Sequence, residues 1–236
     1  MRDDIKLSVG VIVGTLVLLA GIILVVRLID KPTDVNIADT MGARRNVLGS
    51  STASNVIVEF SDFQCPACAA VDRELRDFIE EFGSQVNLEY RHFTLPQHAN
   101  ALPSANAAEA AGNQGKFWEV HNWLFDNQLV WEDEATSAEY FYDQFGADLG
   151  LDKDKFIQDY GSDEIRQKVV DDTAAASRLR LDSTPTFFIN GKKQVGGVTR
   201  AGLLELLNLS EVSITPTTEP SPTLAPGEES SPTPEV

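Results

Sequence analysis

Cysteine is scarce in this chain: 236 residues contain two, Cys65 and Cys68. That excludes a small scaffold stapled by several disulfides. Histidine is nearly as scarce, and His92, His98 and His121 form no ligand pair of the usual metal-site spacing. Basic residues run short as well, with 19 Lys and Arg against 36 Asp and Glu, for a net charge of −17. A surface this acidic repels phosphate backbones and anionic lipid surfaces, so no nucleic-acid partner is expected. The deficit is uneven. Residues 1–54 carry six basic and five acidic groups, residues 55–210 thirteen and twenty-six, and residues 211–236 none and five. Internal repeats are absent. The segment 211–236 has no aromatic residue and is rich in Pro, Ser, Thr and Glu, a composition read as a disordered tail.

The two cysteines lie in Glu59-Phe60-Ser61-Asp62-Phe63-Gln64-Cys65-Pro66-Ala67-Cys68. The apolar run Val56–Phe60 ahead of them reads as a buried strand. Behind them Val71, Leu75, Phe78, Ile79 and Phe82 recur at helical spacing and predict an amphipathic helix, closed by Gly83. The Cys-x-x-Cys therefore falls at a strand-to-helix turn, with Cys65 at the helix N-terminus and Pro66 in the first turn, where its missing N–H costs nothing. Free N–H groups and the helix dipole favour a thiolate at Cys65. Cys68, one turn on, is placed to attack a mixed disulfide on Cys65. This predicts a dithiol–disulfide exchange site, the redox-active pair needing no further cofactor. Half a zinc site would need two more ligands, and a structural disulfide closing two residues would restrain little; inert core thiols are the remaining alternative.

At the N-terminus, Val9–Val26 is uncharged and almost wholly apolar, flanked by Arg2 and Lys6 on one side and Arg27 and Lys31 on the other. That is long enough to span a bilayer as a helix. Leu18-Leu19-Ala20 is a poor cleavage site and the run continues past it, which favours an uncleaved anchor over a removed signal peptide. No cysteine follows it at which a lipid could be attached. The expected organisation is a short cytoplasmic segment (1–6), a transmembrane signal anchor (7–29), a polar linker (30–54), an α/β domain (55–210) and the tail (211–236). Arg44-Arg45 reads as solvated linker charge. With disulfide chemistry favoured outside the cytoplasm, the domain is expected on the extracytoplasmic side of the cell membrane.

Along the domain, Val86–Phe93 alternates as a strand and Ser104–Gln114 reads as an alanine-rich helix. Phe117, Val120, His121, Leu124 and Phe125 form a helical core stripe, which makes His121 by default a satisfied core residue. Further helices are predicted at Ser137–Phe145, Asp152–Tyr160 and Asp163–Leu181. Thr186–Ile189 follows Pro185 as a strand, Asn190-Gly191 turns the chain, Gln194–Gly196 returns it, and Thr199–Leu209 is a last helix.

This order resembles the DsbA-like branch of the thioredoxin superfamily, including its membrane-tethered members, over about Val47 to Leu209. The likeness rests on Glu59–Cys68, on Arg91-His92-Phe93 with His98, on Gly115–His121 and on Thr184–Gly191. It implies a thioredoxin-like fold with a helical insertion at about residues 101–181. It further implies that Pro185 is cis beside the cysteines, that Thr184 pairs with an extended client over Pro66 and Ala67, and that Glu59 is a buried acid that takes the proton of Cys68. The implied activity is disulfide donation to exported proteins with cysteines, with a membrane redox partner, such as a quinone-linked oxidase, to reoxidise the dithiol. Ala67 stands where strongly oxidising members have histidine, which implies a milder oxidant. A reductase or isomerase is the alternative within this chemistry, and a tethered chaperone or binding module the alternative outside it.

Overall fold

A computed structural model describes residues 14–21, 44–134 and 136–210. Residues 14–21 are helical, and among the described residues no helix is long and apolar enough to cross a membrane. The rest of the expected anchor, most of the linker and the tail lie outside the described residues.

The domain is built on a five-stranded sheet in the order β1-β3-β2-β4-β5. Its strands are β1 (Val47–Gly49), β2 (Asn55–Ser61), β3 (Val86–His92), β4 (Thr186–Ile189) and β5 (Lys192–Val195). β2 and β3 are parallel, as a crossover through helix α1 (Pro66–Phe82) requires, and the other pairs are antiparallel. Asn190 at φ 48° and Gly191 at φ 82° supply the left-handed pair that a two-residue hairpin turn demands.

One face of the sheet packs on α1 and the last helix, α8 (Arg200–Leu207). Ile57, Leu88, Phe187 and Ile189 meet Leu75, Phe78, Phe82 and Leu203 there. The other face packs on α7 (Asp163–Arg178), where Val58, Phe60 and Phe188 meet Ala175 and Ala176. The insertion between β3 and β4 also holds α2 (Ala101–Gly112), α3 (Phe117–Asp126), α4 (Gln128–Trp131), α5 (Ala138–Phe141) and α6 (Lys153–Tyr160). Its core sets the alanines of α2 against Phe117, Trp131, Phe141 and Phe156, so small residues on one helix make room for large ones on its neighbours.

Several boundaries move from their sequence-based positions. α2 begins at Ala101, three residues early. α5 ends at Phe141 and gives way to a π-helical turn over Tyr142–Gly146. α7 stops at Arg178, and the chain turns back through Arg180 at φ 53°. Gly83 caps α1 in ordinary right-handed geometry, φ −61° and ψ −15°. Its carbonyl accepts the N–H of Ser50 at 2.7 Å, which ties the helix end to the end of β1.

The domain reaches back into the segment read as linker. β1 pairs with β3, and Arg44, Arg45 and Asn46 are bound side chain by side chain. Arg44 pairs with Glu89 at 3.3 Å and Arg45 with Asp172. Asn46 donates to Glu109 at 2.6 Å. Arg44-Arg45 is therefore no solvated linker charge. The buried carboxylates of β3 and α7 are what hold it, and they are remote in sequence.

Candidate active site

Cys65 ends the turn that follows β2 and caps α1 with extended backbone, φ −78° and ψ 119°. No side-chain oxygen caps this helix, so its first N–H groups are left to the sulfur. The Cys68 thiol, despite opposing burial, draws the Cys65 pKa down to about 5, with Thr184 and the backbone N–H groups of Cys68 and Ala67 adding to the effect. Cys65 Sγ lies 3.7 Å from the Thr184 carbonyl oxygen, and the Thr184–Pro185 bond is cis. Pro66 and Ala67 are exposed beside it, Thr184 is nearly buried, and Cys65 itself is 7 % exposed. Cys68 is fully buried, and burial first, then the neighbouring Cys65, pushes its thiol far above the ordinary range.

Glu59 lies under the pair, 1 % exposed and opposite Tyr90 of β3 and Phe187 of β4 in the strand register. Burial lifts its pKa to about 8; nearby Ser61 pulls it back and Asp72 adds to the rise. Glu59 is thus mostly protonated at neutral pH and can exchange a proton with its surroundings near that pH. Chemically the arrangement offers a stabilised thiolate at the surface edge, a protonated thiol behind it, and a proton-exchanging carboxyl beneath.

Residues 43–208 match the family model described as Thioredoxin. The chain belongs to the thioredoxin family. Among solved structures, a variant of Wolbachia pipientis alpha-DsbA1 with two cysteines replaced by alanine aligns with a TM-score of 0.63 at 21 % identity, covering 74 % of this chain and 94 % of that one. A thioredoxin-like oxidoreductase from Silicibacter pomeroyi gives 0.60 at 24 %, covering 72 % and 95 %. BdbD from Bacillus subtilis, in its oxidised form, gives 0.60 at 20 %, covering 69 % and 90 %. What these neighbours share with this chain is the fold. A protein named Na(+)/H(+) antiporter NhaA 1 from Mycolicibacterium vanbaalenii is 36 % identical over 169 residues, which is 70 % of this chain and 26 % of that protein. The chain spans about a quarter of the length of the curated relatives it matches.

In this thioredoxin-family domain the residues named from sequence, Cys65, Cys68, Glu59, Thr184, Pro185, Pro66 and Ala67, converge on one end of the sheet. The side chains that fix the turn carry no signal in their local sequence. Buried Asp62 accepts from the backbone N–H of Gln64 at 2.8 Å and of Leu95 at 2.9 Å, and its Oδ2 is 2.9 Å from His98 Nδ1. Gln64 accepts the N–H of Asn100 at 2.6 Å and donates to the carbonyl of Glu132 at 2.8 Å. Gln128 donates to the carbonyl of Phe63 at 2.7 Å. Asp62 and His98 were within the quoted motifs, yet only the fold brings them together. His121 was read as satisfied. Instead its Nδ1 meets Asn122 Oδ1 at 3.0 Å while its buried Nε2 has no hydrogen-bond partner among the described residues.

Proposed function

We propose that this protein is a membrane-anchored, extracytoplasmic thiol–disulfide oxidoreductase that donates the Cys65–Cys68 disulfide to exported proteins. The observation that carries the reading is the asymmetry of the pair: Cys65 held down to about 5 beside the Thr184 carbonyl, Cys68 fully buried over Glu59. A client thiolate attacks Cys65 Sγ and the Cys65–Cys68 bond breaks. Its electron pair passes to Cys68, which takes a proton from Glu59. A second client thiolate then attacks the client sulfur of the mixed disulfide, and Cys65 leaves as thiolate. The low Cys65 pKa supports the donor direction, because a dithiol form stabilised as thiolate makes its disulfide more oxidising. A pKa of about 5 lies between about 7 for thioredoxin and about 3.5 for DsbA, in keeping with alanine at position 67.

Exposed Leu129 and Val130 lie on α4, which Gln128 and Gln64 tie to the active-site turn, and they offer apolar footing for an unfolded client. Val9–Val26 supplies the anchor, and a membrane-bound oxidant, of the quinone-linked class, would restore the disulfide. The sodium–proton exchange in the names of the curated relatives describes proteins of which the matched segment is about a quarter; the Cys65 chemistry gives no support for it here. The deciding experiment is the redox state of Cys65 and Cys68 in growing cells, by acid quench and thiol alkylation. Mostly disulfide is expected. Mostly dithiol would instead identify a reductase or isomerase.

A further inference from the structure

Cys68 and Glu59 are both cut off from solvent, at 0 % and 1 % exposure. Each half-cycle of the activity proposed above moves a proton onto or off Cys68, so Glu59 must exchange that proton with solvent or it serves only once. Beneath the pair, a set of buried polar atoms answers to this need. Glu59 Oε1, Ser61 Oγ, Tyr90 OH and His121 Nε2 have no well-formed hydrogen bond among the described residues. Polar atoms buried this way are ordinarily bridged by internal water. They follow one line. Ser61 and Glu59 share a face of β2, with Tyr90 opposite Glu59, and the His121 ring stands 4.9 Å from the Tyr90 ring. His121 Nδ1 is 3.8 Å from Asp72 Oδ1, and Asp72 sits one helical turn beyond Cys68, 3 % exposed. Arg76 Nε is 2.8 Å from Asp72, and its guanidinium continues to Asp126 at 2.6 and 3.2 Å; the Asp126 side chain is 43 % exposed. The line therefore ends at the surface, and elsewhere Phe63, Phe117, Trp118 and Phe125 enclose it around His121.

We propose that Asp72 is a relay acid that passes the proton of Glu59 to and from solvent at the Arg76–Asp126 end, with His121 as a neutral hydrogen-bonding bridge between them. In one direction the Cys68 thiol gives its proton to the Glu59 carboxylate, and Glu59 passes a proton through bridging water to the Asp72 carboxylate, which loses one to solvent; in the other the same steps reverse. Burial first, with Asp126 adding and Arg76 opposing, raises Asp72 to about 7, close to Glu59 at about 8, so transfer between them is nearly level. His121 is kept neutral by burial, with Asn122 opposing and Arg76 and His92 adding, at a pKa of about 3. The other ionisable groups facing this line are Arg73 from α1 and Asp62 from the active-site turn.

The inference rests on the exchange activity of Cys65, so the test reads both. Glutathione disulfide loads Cys65 of the full-length dithiol protein, and the Cys68-dependent release of glutathione is followed by acid quench from pH 5 to 9, in H2O and D2O. Asp72→Asn is expected to slow release about tenfold, below what a directly acting acid–base group contributes. It should also enlarge the solvent isotope effect and leave the alkylation midpoint of Cys65 in place. Asp72→Glu should restore most of the rate, and Glu59→Gln with Asp72→Asn should be no slower than Glu59→Gln alone. Wild-type release by Asp72→Asn, or losses that multiply in the double variant, would overturn the relay while the activity stands. Should Asp72→Asn fail to fold, His121→Gln decides by the same readings, a slowed release supporting the relay and an unchanged one rejecting it. A wild-type protein that forms no mixed disulfide would overturn the activity, and the relay with it.

Discussion

At Cys65 the thiolate is held by donors in the first turn of its own helix, the Cys68 thiol foremost, with the Thr184 side chain adding from across the sheet. Alkylation of the dithiol protein should therefore show a midpoint near pH 5 for Cys65, while Cys68 stays unmodified until the fold is lost; mass spectrometry of the modified peptides measures both. Cys68→Ala should accumulate client proteins joined to Cys65, and Cys65→Ala almost none, as read on non-reducing gels. Equal capture by the two variants would reverse the assignment of nucleophile and resolving residue. The potential of the couple should fall between those of thioredoxin and DsbA, roughly −270 to −120 mV, and Ala67→His should raise it; equilibration with glutathione measures the change.

At the scale of elements, polar side chains that bridge remote segments hold the site's frame. Asp172 of α7 accepts from Arg91 at 3.0 Å and from the His92 backbone at 3.1 Å, and it also pairs with Arg45. Arg91 is fully buried, with Glu89 as its other carboxylate partner. Removing one member of a buried ion network leaves its partners desolvated and uncompensated. Asp172→Ala should cost about 3–5 kcal/mol in urea unfolding, and Arg45→Ala less, since Arg45 remains partly exposed. In the same network, His92 and Asn46 outweigh burial and hold Glu109 near 2, so this carboxylate stays ionised over the physiological range. Around the cysteines, Asp62 plays a comparable part for the 94–100 loop. Asp62→Ala strips partners from the N–H groups of Gln64 and Leu95 and from His98, for a loss of about 2–4 kcal/mol. Hydrogen exchange should show the loss concentrated at residues 94–100, with α6 and α7 little changed.

For the whole molecule, the buried carboxyls set how stability varies with pH. Between its unfolded value of 4.5 and its folded value of about 8, Glu59 binds more protons folded than unfolded, so stability falls as pH rises across that window. Asp72, raised from 3.8 to about 7, acts in the same sense. Cys65 acts oppositely in the dithiol form, because its folded pKa is depressed and its contribution is lost as pH falls towards 5. The disulfide form removes that opposing group. Urea melts of the disulfide form should therefore lose stability from pH 5 to 8, with a slope approaching about 1.4 kcal/mol per pH unit for a single group. Glu59→Gln should flatten much of that slope, and a profile unchanged by it would place the titrating group elsewhere. The anchor has its own test at this scale. The protein should pellet with membranes, and external protease should reach residues 44–210 in wall-stripped cells; a domain protected there would contradict the proposed orientation.

Local chemistry made much of this protein legible before folding. A Cys-x-x-Cys between an apolar run and a helical stripe defines its own strand–turn–helix, since the periodicities of 2 and 3.6 are written in neighbouring residues. Asn190-Gly191 and Ser162 announced their turn and cap in the same way, and Ser162 does accept from the Ile165 N–H. The pairing of Cys65 with Cys68 at one turn followed from a single stretch of ten residues, whereas Glu59 joined them only through the resemblance to a known family. What only the tertiary structure decided depends on partners far along the chain. Arg44 and Arg45 look like linker charge until Glu89 and Asp172 are brought to them. Asp62, Gln64 and His98 look like loop polarity until they are seen closing around the same turn. Asp72 sits on the buried side of a helix whose pattern suggests only an interruption in its apolar stripe, and His121 counts as core until its Nε2 proves to have no hydrogen-bond partner among the described residues. The physical reason is common to all of these. A polar side chain's role is set by how deeply it is buried and what faces it there, and neither is carried by the residues beside it in sequence.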